Sequence, residues 1–174
     1  FMFFSLYLFY RRGYYDLYII NKALANTSII VLGIVLLLGP LTRMFDLFDK
    51  YLTYRKELGI TAFFLAITHA IISFFFLEDH FPKERFFTYG KWPFIFGLIS
   101  SVLLIIIFFI SNKKATTAIG PKKWWFMQYW GARLIFLFAA LHVFVMKYSN
   151  WLSWYQKGGG SELKHPELPG AGIL

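Results

Sequence analysis

Cysteine is absent from the 174-residue sequence, and acidic residues are scarce, with nine Asp and Glu against eighteen Lys and Arg. Without thiols, disulfides, iron–sulfur clusters, zinc–cysteine sites and thiolate nucleophiles are all excluded. Charged residues make up only 16% of the sequence, whereas soluble domains contain about 25%. This shortage of charge excludes an ordinary soluble domain.

Apolar and aromatic residues are correspondingly abundant in the sequence. The sequence is 58% hydrophobic and 22% aromatic, with a mean hydropathy of +0.55, which is too apolar for a disordered chain. In a soluble protein the net charge of +9 would suggest a nucleic acid partner. In a membrane protein such charge anchors helix ends to anionic headgroups, so membrane lipid is the expected partner and nucleic acid is not.

Three uncharged stretches, at 23–42, 58–77 and 92–112, are each long enough to cross a bilayer as a helix. A fourth, at 124–146, is interrupted only by Arg133 near its start. The apolar opening, residues 1–10, is too short to span before Arg11 and Arg12. The sequence therefore predicts an all-α integral membrane helical bundle, with four complete transmembrane helices plus a partial N-terminal one.

The composition changes sharply near residue 157, where KGGGSELKHPELPGAGIL begins. We interpret residues 1–157 as the membrane domain and residues 158–174 as a flexible extramembrane tail. Basic residues concentrate in the loops at 43–56 and 113–123, which lie on the same side of the predicted bundle. The positive-inside rule places both loops in the cytoplasm.

Two of the four histidines, His69 and His142, lie inside uncharged helices, where an ionisable residue indicates a function. Their helices are two spans apart and run in the same direction, and the two depths differ by about 6 Å. Two imidazoles at similar depth on parallel helices are what axial ligation of a b-type haem requires. Alternatively, each histidine hydrogen-bonds to a helix backbone or polar side chain. The other histidines, His80 and His165, fall in a loop and in the tail, where solvent exposure is expected.

Small residues accompany both histidines. Ala62, Ala66 and Ser73 share the face of His69, and Ala139 precedes His142 by one turn. Such gaps favour either a bound macrocycle or close packing of helices, and spacing by itself leaves both open.

Four motifs occur in a characteristic order: GPLTRMF at 39–45, YRKELGITAFFLAITH at 54–69, FFIS at 108–111 and IGPKKWWFMQYWGARLIFLFAALH at 119–142. Together the stretch from about 39 to 147 resembles the ferric-reductase-like transmembrane domain family. It is most similar to the small bacterial branch that includes the haem membrane subunit of periplasmic methionine-sulfoxide reductase systems.

The resemblance implies that His69 and His142 are the axial iron ligands of a haem b, and that the protein transfers electrons across the membrane. Family members with two haems carry further histidines nearer the other membrane face. Here those positions hold Arg55, Lys56, Gln128 and Tyr129. None is a histidine, so we expect one haem, in the outer half of the membrane.

The haem propionates are anionic and need hydrogen-bond donors. Lys147, five residues after His142, reaches them from the outer side by snorkelling. Arg133 is about 13 Å before His142 along the helix and serves only if the propionates point inward. Alternatively, Arg133 anchors its helix at the membrane interface beside Trp130. The predicted cofactor-binding residues are therefore His69, His142, Lys147 and Arg133, with the two histidines as metal ligands.

These features favour a haem b electron carrier, the electron-transfer component of an oxidoreductase system rather than a complete enzyme. No dinucleotide fingerprint is present, so the electron donor, a quinol or redox protein, and the acceptor are expected to be separate. No motif supports a quinone or flavin site. We expect a subunit of a multiprotein complex in the bacterial inner membrane, without catalytic residues of its own.

An alternative reading is a structural or accessory subunit of a larger membrane complex, which keeps the fold without electron transfer. The missing inner histidines are compatible with it, and the two retained histidines oppose it. A transporter is disfavoured because the spans contain no acidic residue and no visible repeat.

Overall fold

The computed structural model of the protein describes residues 1–157 and 163–170. Its helices are α1 (Met2–Arg12), α2 (Leu17–Met44), α3 (Arg55–Phe75), α4 (Lys83–Phe87), α5 (Lys91–Ile110), α6 (Lys113–Ile119) and α7 (Pro121–Lys157). A 3-10 helix, Asp46–Tyr54, joins α2 to α3.

Four of these helical segments are long and apolar enough to cross a membrane: Leu17–Met44, Asp46–Phe75, Lys91–Ile110 and Pro121–Gln156. This confirms the predicted bundle of four spans with a shorter N-terminal helix. Several helices extend beyond the uncharged stretches, because helical hydrogen bonding continues outside the hydrocarbon. At the start of α2, for example, Asp16 Oδ1 accepts a 2.8 Å hydrogen bond from the Ile19 N–H and caps the helix.

The four spans form a closed ring of neighbours. α2 packs against α3 and α7, and α5 packs against the same two helices. This arrangement puts α3 and α7 at opposite corners, and because successive spans are antiparallel, α3 and α7 run in the same direction. One residue from each span forms a buried layer: Leu32, Ala62, Leu104 and Ile135.

Large apolar side chains cover the outside of the bundle. Phe75 and Phe109 are each 68% exposed, which in water would be a large apolar patch and in a bilayer is the surface that contacts lipid. The hydroxyl of Thr27 donates to the Ala23 carbonyl in its own helix, 2.7 Å away. Such bonds satisfy polar atoms where no water is present.

α1 lies against the first turns of α2, where Phe4, Leu8, Ile19 and Ala23 form a second buried cluster. The predicted tail, 158–174, falls partly outside the described residues. In its described part, the Pro169 carbonyl accepts a 2.6 Å hydrogen bond from the Tyr7 hydroxyl of α1. This part of the tail therefore contacts the bundle, while the division into a domain and a tail stays a prediction.

Candidate functional site

His69 and His142 lie toward the end of the bundle at which α2 and α5 begin and α3 and α7 end, which we call the histidine end. α3 brings His69 to this end and α7 brings His142. The diagonal placement of α3 and α7 makes the two imidazoles approach the bundle interior from opposite corners. They lie within electrostatic range of each other.

The His69 ring is held by the first turns of α2. Its Nδ1 lies 2.9 Å from Asn21 Oδ1 and 3.2 Å from the Asn21 carbonyl oxygen. The Asn21 side chain is 1% exposed, and its Nδ2 donates a 2.8 Å hydrogen bond to Ser73 Oγ. Since both oxygens that face Nδ1 only accept, Nδ1 carries the proton and Nε2 keeps its lone pair.

His142 is held in the same way by the first turn of α5. Its Nδ1 lies 2.7 Å from the carbonyl oxygen of Pro93. This oxygen also only accepts, so His142 has the same tautomer, with an unprotonated Nε2. Close approach of the ring depends on Gly97, because a Cβ at that position would stand 2.9 Å from His142 Nδ1.

The two histidines therefore have matching hydrogen-bond environments. Each is bonded through Nδ1 to a residue near the start of an antiparallel neighbour, Asn21 in α2 and Pro93 in α5. The sequence left open that each imidazole hydrogen-bonds to a helix backbone or a polar side chain. Among the described residues, Nδ1 of each ring makes such a bond. The second nitrogen of each ring keeps its lone pair for a ligand.

A small cavity of about 40 Å³ lies one turn inward from the histidines. It is lined by all four spans, including Ala66 one turn before His69 and Ala139 one turn before His142. The cavity is smaller than a macrocycle, so binding one requires the side chains between the imidazoles to separate.

Among residues 1–157 and 163–170, His, Cys, Asp and Glu do not form any group of three that could hold a metal ion. Two imidazole nitrogens alone leave most coordination positions of an iron unfilled. This donor set fits an iron whose equatorial ligands come from a porphyrin, which needs only two axial donors from the protein.

Cationic side chains gather around Tyr18 at the histidine end. The Arg12 guanidinium lies 5.0 Å and the Lys22 ammonium 4.2 Å from the centroid of the Tyr18 ring. This ring stacks on His80 at 4.2 Å, and Arg85 Nη1 approaches the His80 carbonyl at 3.5 Å. Three cations from α1, α2 and α4 are therefore close together.

Lys147, on α7, completes this group, since it lies within electrostatic range of Lys22, Arg12 and Arg85. We call Arg12, Lys22, Arg85 and Lys147 the basic cluster. In the part of the chain that the structure describes, Arg12 Nε is a buried side-chain nitrogen without a hydrogen-bond partner. Such an orphaned donor is costly unless a ligand satisfies it.

Asp16 lies within electrostatic range of Lys22, and the acidic groups nearby also have partners of their own. Asp16 caps α2 through the Ile19 N–H, and Glu78 lies 3.5 Å from Lys83. Within the described ranges, the salt bridges involve none of the four cations of the basic cluster. The cluster therefore favours an anionic group, of which the two carboxylates of a haem are an example.

Arg133 lies away from this cluster. Its guanidinium stands 3.4 Å from the centroid of the Tyr129 ring, and Nη1 donates to the Tyr129 carbonyl at 2.8 Å. It lies within electrostatic range of Arg55, at the start of α3. The structure thus brings His69, His142 and Lys147 to one end and places Arg133 toward the other.

The half of the bundle opposite the histidine end is filled by its own side chains. Phe63 and Phe108 stack face to face with ring centroids 4.0 Å apart. Gln128, at a position where two-haem relatives are expected to carry a histidine, donates from Nε2 to Ser111 Oγ at 2.9 Å. The packing here is between protein groups.

Sequence reasoning missed six contributors to the site: Asn21, Pro93, Gly97, Arg12, Lys22 and Arg85. A polar Asn21 at the start of an apolar span was a detectable signal. Pro93 and Gly97 gave none, since ordinary helix packing explains both residue types in a membrane helix.

Comparison with known sequences gives one family. Residues 23–132, more than half of the chain, match the family described as ferric reductase like transmembrane component. The matched range includes His69 and ends before His142. The comparison with curated proteins gives no match.

Proposed function

The chain belongs to the ferric reductase-like transmembrane family, and on this premise we propose that it is a b-type haem electron-transfer protein with His69 and His142 as the axial iron ligands. Family membership supports a redox role in the membrane. The two ligands, the haem type and the number of haems are our proposal.

The proposal depends mainly on the state of the two imidazoles. In each ring, Nδ1–H donates to a carbonyl oxygen and Nε2 is left with a lone pair. Histidines that bind a metal commonly donate their other N–H to a carbonyl or carboxylate, which fixes the tautomer and the ring orientation. Asn21 and Pro93 have this role here.

A bound haem supplies a one-electron ferric/ferrous couple. The protein's own residues hold the ligand rings and compensate charge. Because neutral imidazoles do not offset the charge of the propionates, we assign that task to Arg12, Lys22 and Lys147 of the basic cluster. Arg133, which contacts Tyr129, is not part of this assignment.

We propose one haem per chain, at the histidine end. Support comes from the second-haem positions that the family resemblance implies. The residues at the expected second-haem positions are Arg55, Lys56, Gln128 and Tyr129, and none supplies imidazole.

Electron transfer needs a donor and an acceptor. We propose that a quinol or a redox protein is the donor, that a separate molecule is the acceptor, and that the chain acts as a subunit of a complex in the bacterial inner membrane. This division of labour is the one that the resemblance of the sequence motifs to the haem subunit of methionine-sulfoxide reductase systems implies.

The test is a reduced-minus-oxidised optical spectrum with haem quantitation on the purified protein. We expect one haem b per wild-type chain. His69→Ala and His142→Ala should each abolish the bis-histidine spectrum, because each variant removes one of only two axial donors.

Tyr155→Ala is the control, since Tyr155 is an 83% exposed residue of α7 outside the histidine pair and the basic cluster and should leave haem content unchanged. Wild-type protein that is folded but binds no haem would contradict the proposal. The accessory-subunit reading would then be preferred. Two haems per chain would contradict the proposed stoichiometry.

A further inference from the structure

The end of the described chain crosses over α1. We call residues 165–169 the C-terminal strap. The backbone N–H of His165 donates to the Arg11 carbonyl at 3.0 Å, and Arg11 Nε donates to the Leu168 carbonyl at 2.8 Å. The His165 ring stacks on Tyr10 with centroids 4.3 Å apart and planes within 8° of parallel.

The strap also contacts the end of α7 and the turn after α1. Trp154 Nε1 donates to the Pro166 carbonyl at 3.2 Å. At the turn, a Cβ on Gly13 would stand 3.0 Å from Lys164 Cδ, so the residue before the strap packs closely against it. The strap therefore connects α7 with α1, two elements far apart in the sequence.

Arg11 and Arg12 have different surroundings although they are adjacent. Consecutive residues on a helix point about 100° apart. Arg11 donates to the strap, although it also lies within electrostatic range of Lys22 and Lys147. Arg12 lies over the Tyr18 ring and donates from Nη1 to the Tyr14 hydroxyl at 2.6 Å, and its buried Nε has no hydrogen-bond partner among the described residues. Because α1 ends at the left-handed Gly13 (φ 81°), Arg12 occupies the last turn, where its direction depends on how α1 is held.

In the described part of the chain, α1 is held by its buried face and by a hydrogen bond between the Ser5 and Tyr15 hydroxyls. On one side it packs on α2 through Phe4 and Leu8, and other apolar residues on its surface are exposed, including Met2 at 73% and Leu6 at 57%. The strap supplies polar contacts at the end of α1 that carries Arg12. It is therefore well placed to set the orientation of that turn.

We propose that the C-terminal strap is a positioning element, which holds the last turn of α1 so that the Arg12 guanidinium is directed at an anionic group bound at the histidine end. This inference depends on the proposed function, in which the anionic group is a haem propionate. Tyr7 and His165 act through α1, and Arg12 makes the contact.

The consequence is a shift in haem midpoint potential. A positive charge near the haem stabilises the ferrous state relative to the ferric state, because reduction lowers the net charge of the centre. Arg12→Gln should therefore lower the potential. Tyr7→Phe combined with His165→Ala leaves Arg12 in place but removes the Tyr7 bond to Pro169 and the ring stack on Tyr10, so α1 is held less firmly and the potential should fall in the same direction.

A double-mutant cycle separates positioning from general damage. In the Arg12→Gln background, the Tyr7→Phe/His165→Ala change should produce no further shift, because the guanidinium that it positions is already gone. Tyr155→Phe, at an 83% exposed tyrosine of α7, is the matched control and should leave the potential unchanged. Additive shifts, or a strap variant without any shift, would overturn the inference.

A second measurement does not need haem. Since the chain has no cysteine, a Tyr10→Cys/His165→Cys pair can be joined specifically by a short bismaleimide reagent, with Tyr10→Cys/Tyr155→Cys as control. We expect crosslinking of the first pair only. Haem-free wild-type protein would overturn the proposed function, whereas haem-bound protein whose first pair fails to crosslink would overturn the strap alone.

Discussion

Gly97 of α5 lies directly beside the imidazole of His142 of α7. A Cβ at position 97 would stand 2.9 Å from His142 Nδ1 and 3.2 Å from Cε1. The same ring nitrogen is bonded to the Pro93 carbonyl, 2.7 Å away. The His142 ring can therefore reach the Pro93 carbonyl because Gly97 has no side chain in its way, and both contacts belong to the packing of α5 on α7.

Gly97→Ala should therefore displace the His142 ring and weaken haem binding. At 2.9 Å from Nδ1 the added methyl forces the ring or α5 to shift, which disturbs the hydrogen bond to Pro93 that orients the imidazole. We expect haem affinity to fall about 10-fold or more, as is typical when the outer contacts of a metal ligand are changed. Haem titration of the haem-free protein measures this change.

Gly33→Ala is the control for this substitution, since its Cβ would meet Phe136 at 3.5 Å, an ordinary van der Waals distance. It should retain wild-type affinity. Equal affinity of the Gly97→Ala and Gly33→Ala proteins would show that the close approach has no role in positioning His142.

Asn21→Leu should raise the haem midpoint potential and weaken haem binding. The Asn21 amide oxygen accepts from Nδ1 of His69 at 2.9 Å, and this bond makes the imidazole a stronger electron donor that favours ferric iron. The backbone carbonyl at 3.2 Å remains, so the tautomer persists and the effect is partial. Potentiometric titration gives the sign of the shift.

Ser73→Ala is the companion variant, because it removes only the partner of Asn21 Nδ2. Its shift should have the same sign and be smaller. A lowered potential in Asn21→Leu would contradict the assigned direction of the His69 hydrogen bond.

Lys147→Gln and Arg133→Gln should differ in their effect on the haem. Lys147 belongs to the basic cluster at the histidine end, so its loss removes a positive charge near the propionates and should lower the midpoint potential. Arg133 contacts Tyr129 and is about 13 Å from His142 along α7, so its loss should leave the potential close to that of the wild type. Redox titrations of both variants in one detergent make the comparison direct.

A shift in Arg133→Gln that exceeds the shift in Lys147→Gln would place the propionates at the opposite end. That outcome would support the inward orientation considered from the sequence.

Gly131→Ala should destabilise the contact between α5 and α7. The new Cβ would overlap Ile107 Cδ1 and stand 2.8 Å from its Cγ1. Overpacking of this kind costs about 1–3 kcal/mol, and the low end is expected because Ile107 presents the end of a side chain that can rotate. Thermal unfolding in detergent is the measurement.

Ile107→Val in the Gly131→Ala background should restore part of the lost stability by removing the overlapping methyl group. Gly59→Ala, whose Cβ would meet nothing within 4 Å, is the control. A double variant less stable than Gly131→Ala itself would rule out steric overlap as the cause.

The spans and the candidate ligands could be predicted from the sequence because both depend on local composition. Twenty apolar residues in a row determine a transmembrane helix wherever they occur, and a histidine inside such a run is unusual at any position. Lys147, about one turn and a half after His142, could be predicted for the same reason, because it is a charged residue directly after an apolar run.

The tertiary structure decided which distant residues meet. Asn21 lies 48 positions before His69, and Pro93 lies 49 before His142, and no periodic pattern records such pairs. The basic cluster likewise unites residues from α1, α2, α4 and α7, and the strap returns to α1 from the end of the chain. Hydrophobicity sets each helix individually, whereas the ring tautomers, the placement of Arg133 and the orphaned Arg12 nitrogen follow from how the helices pack together.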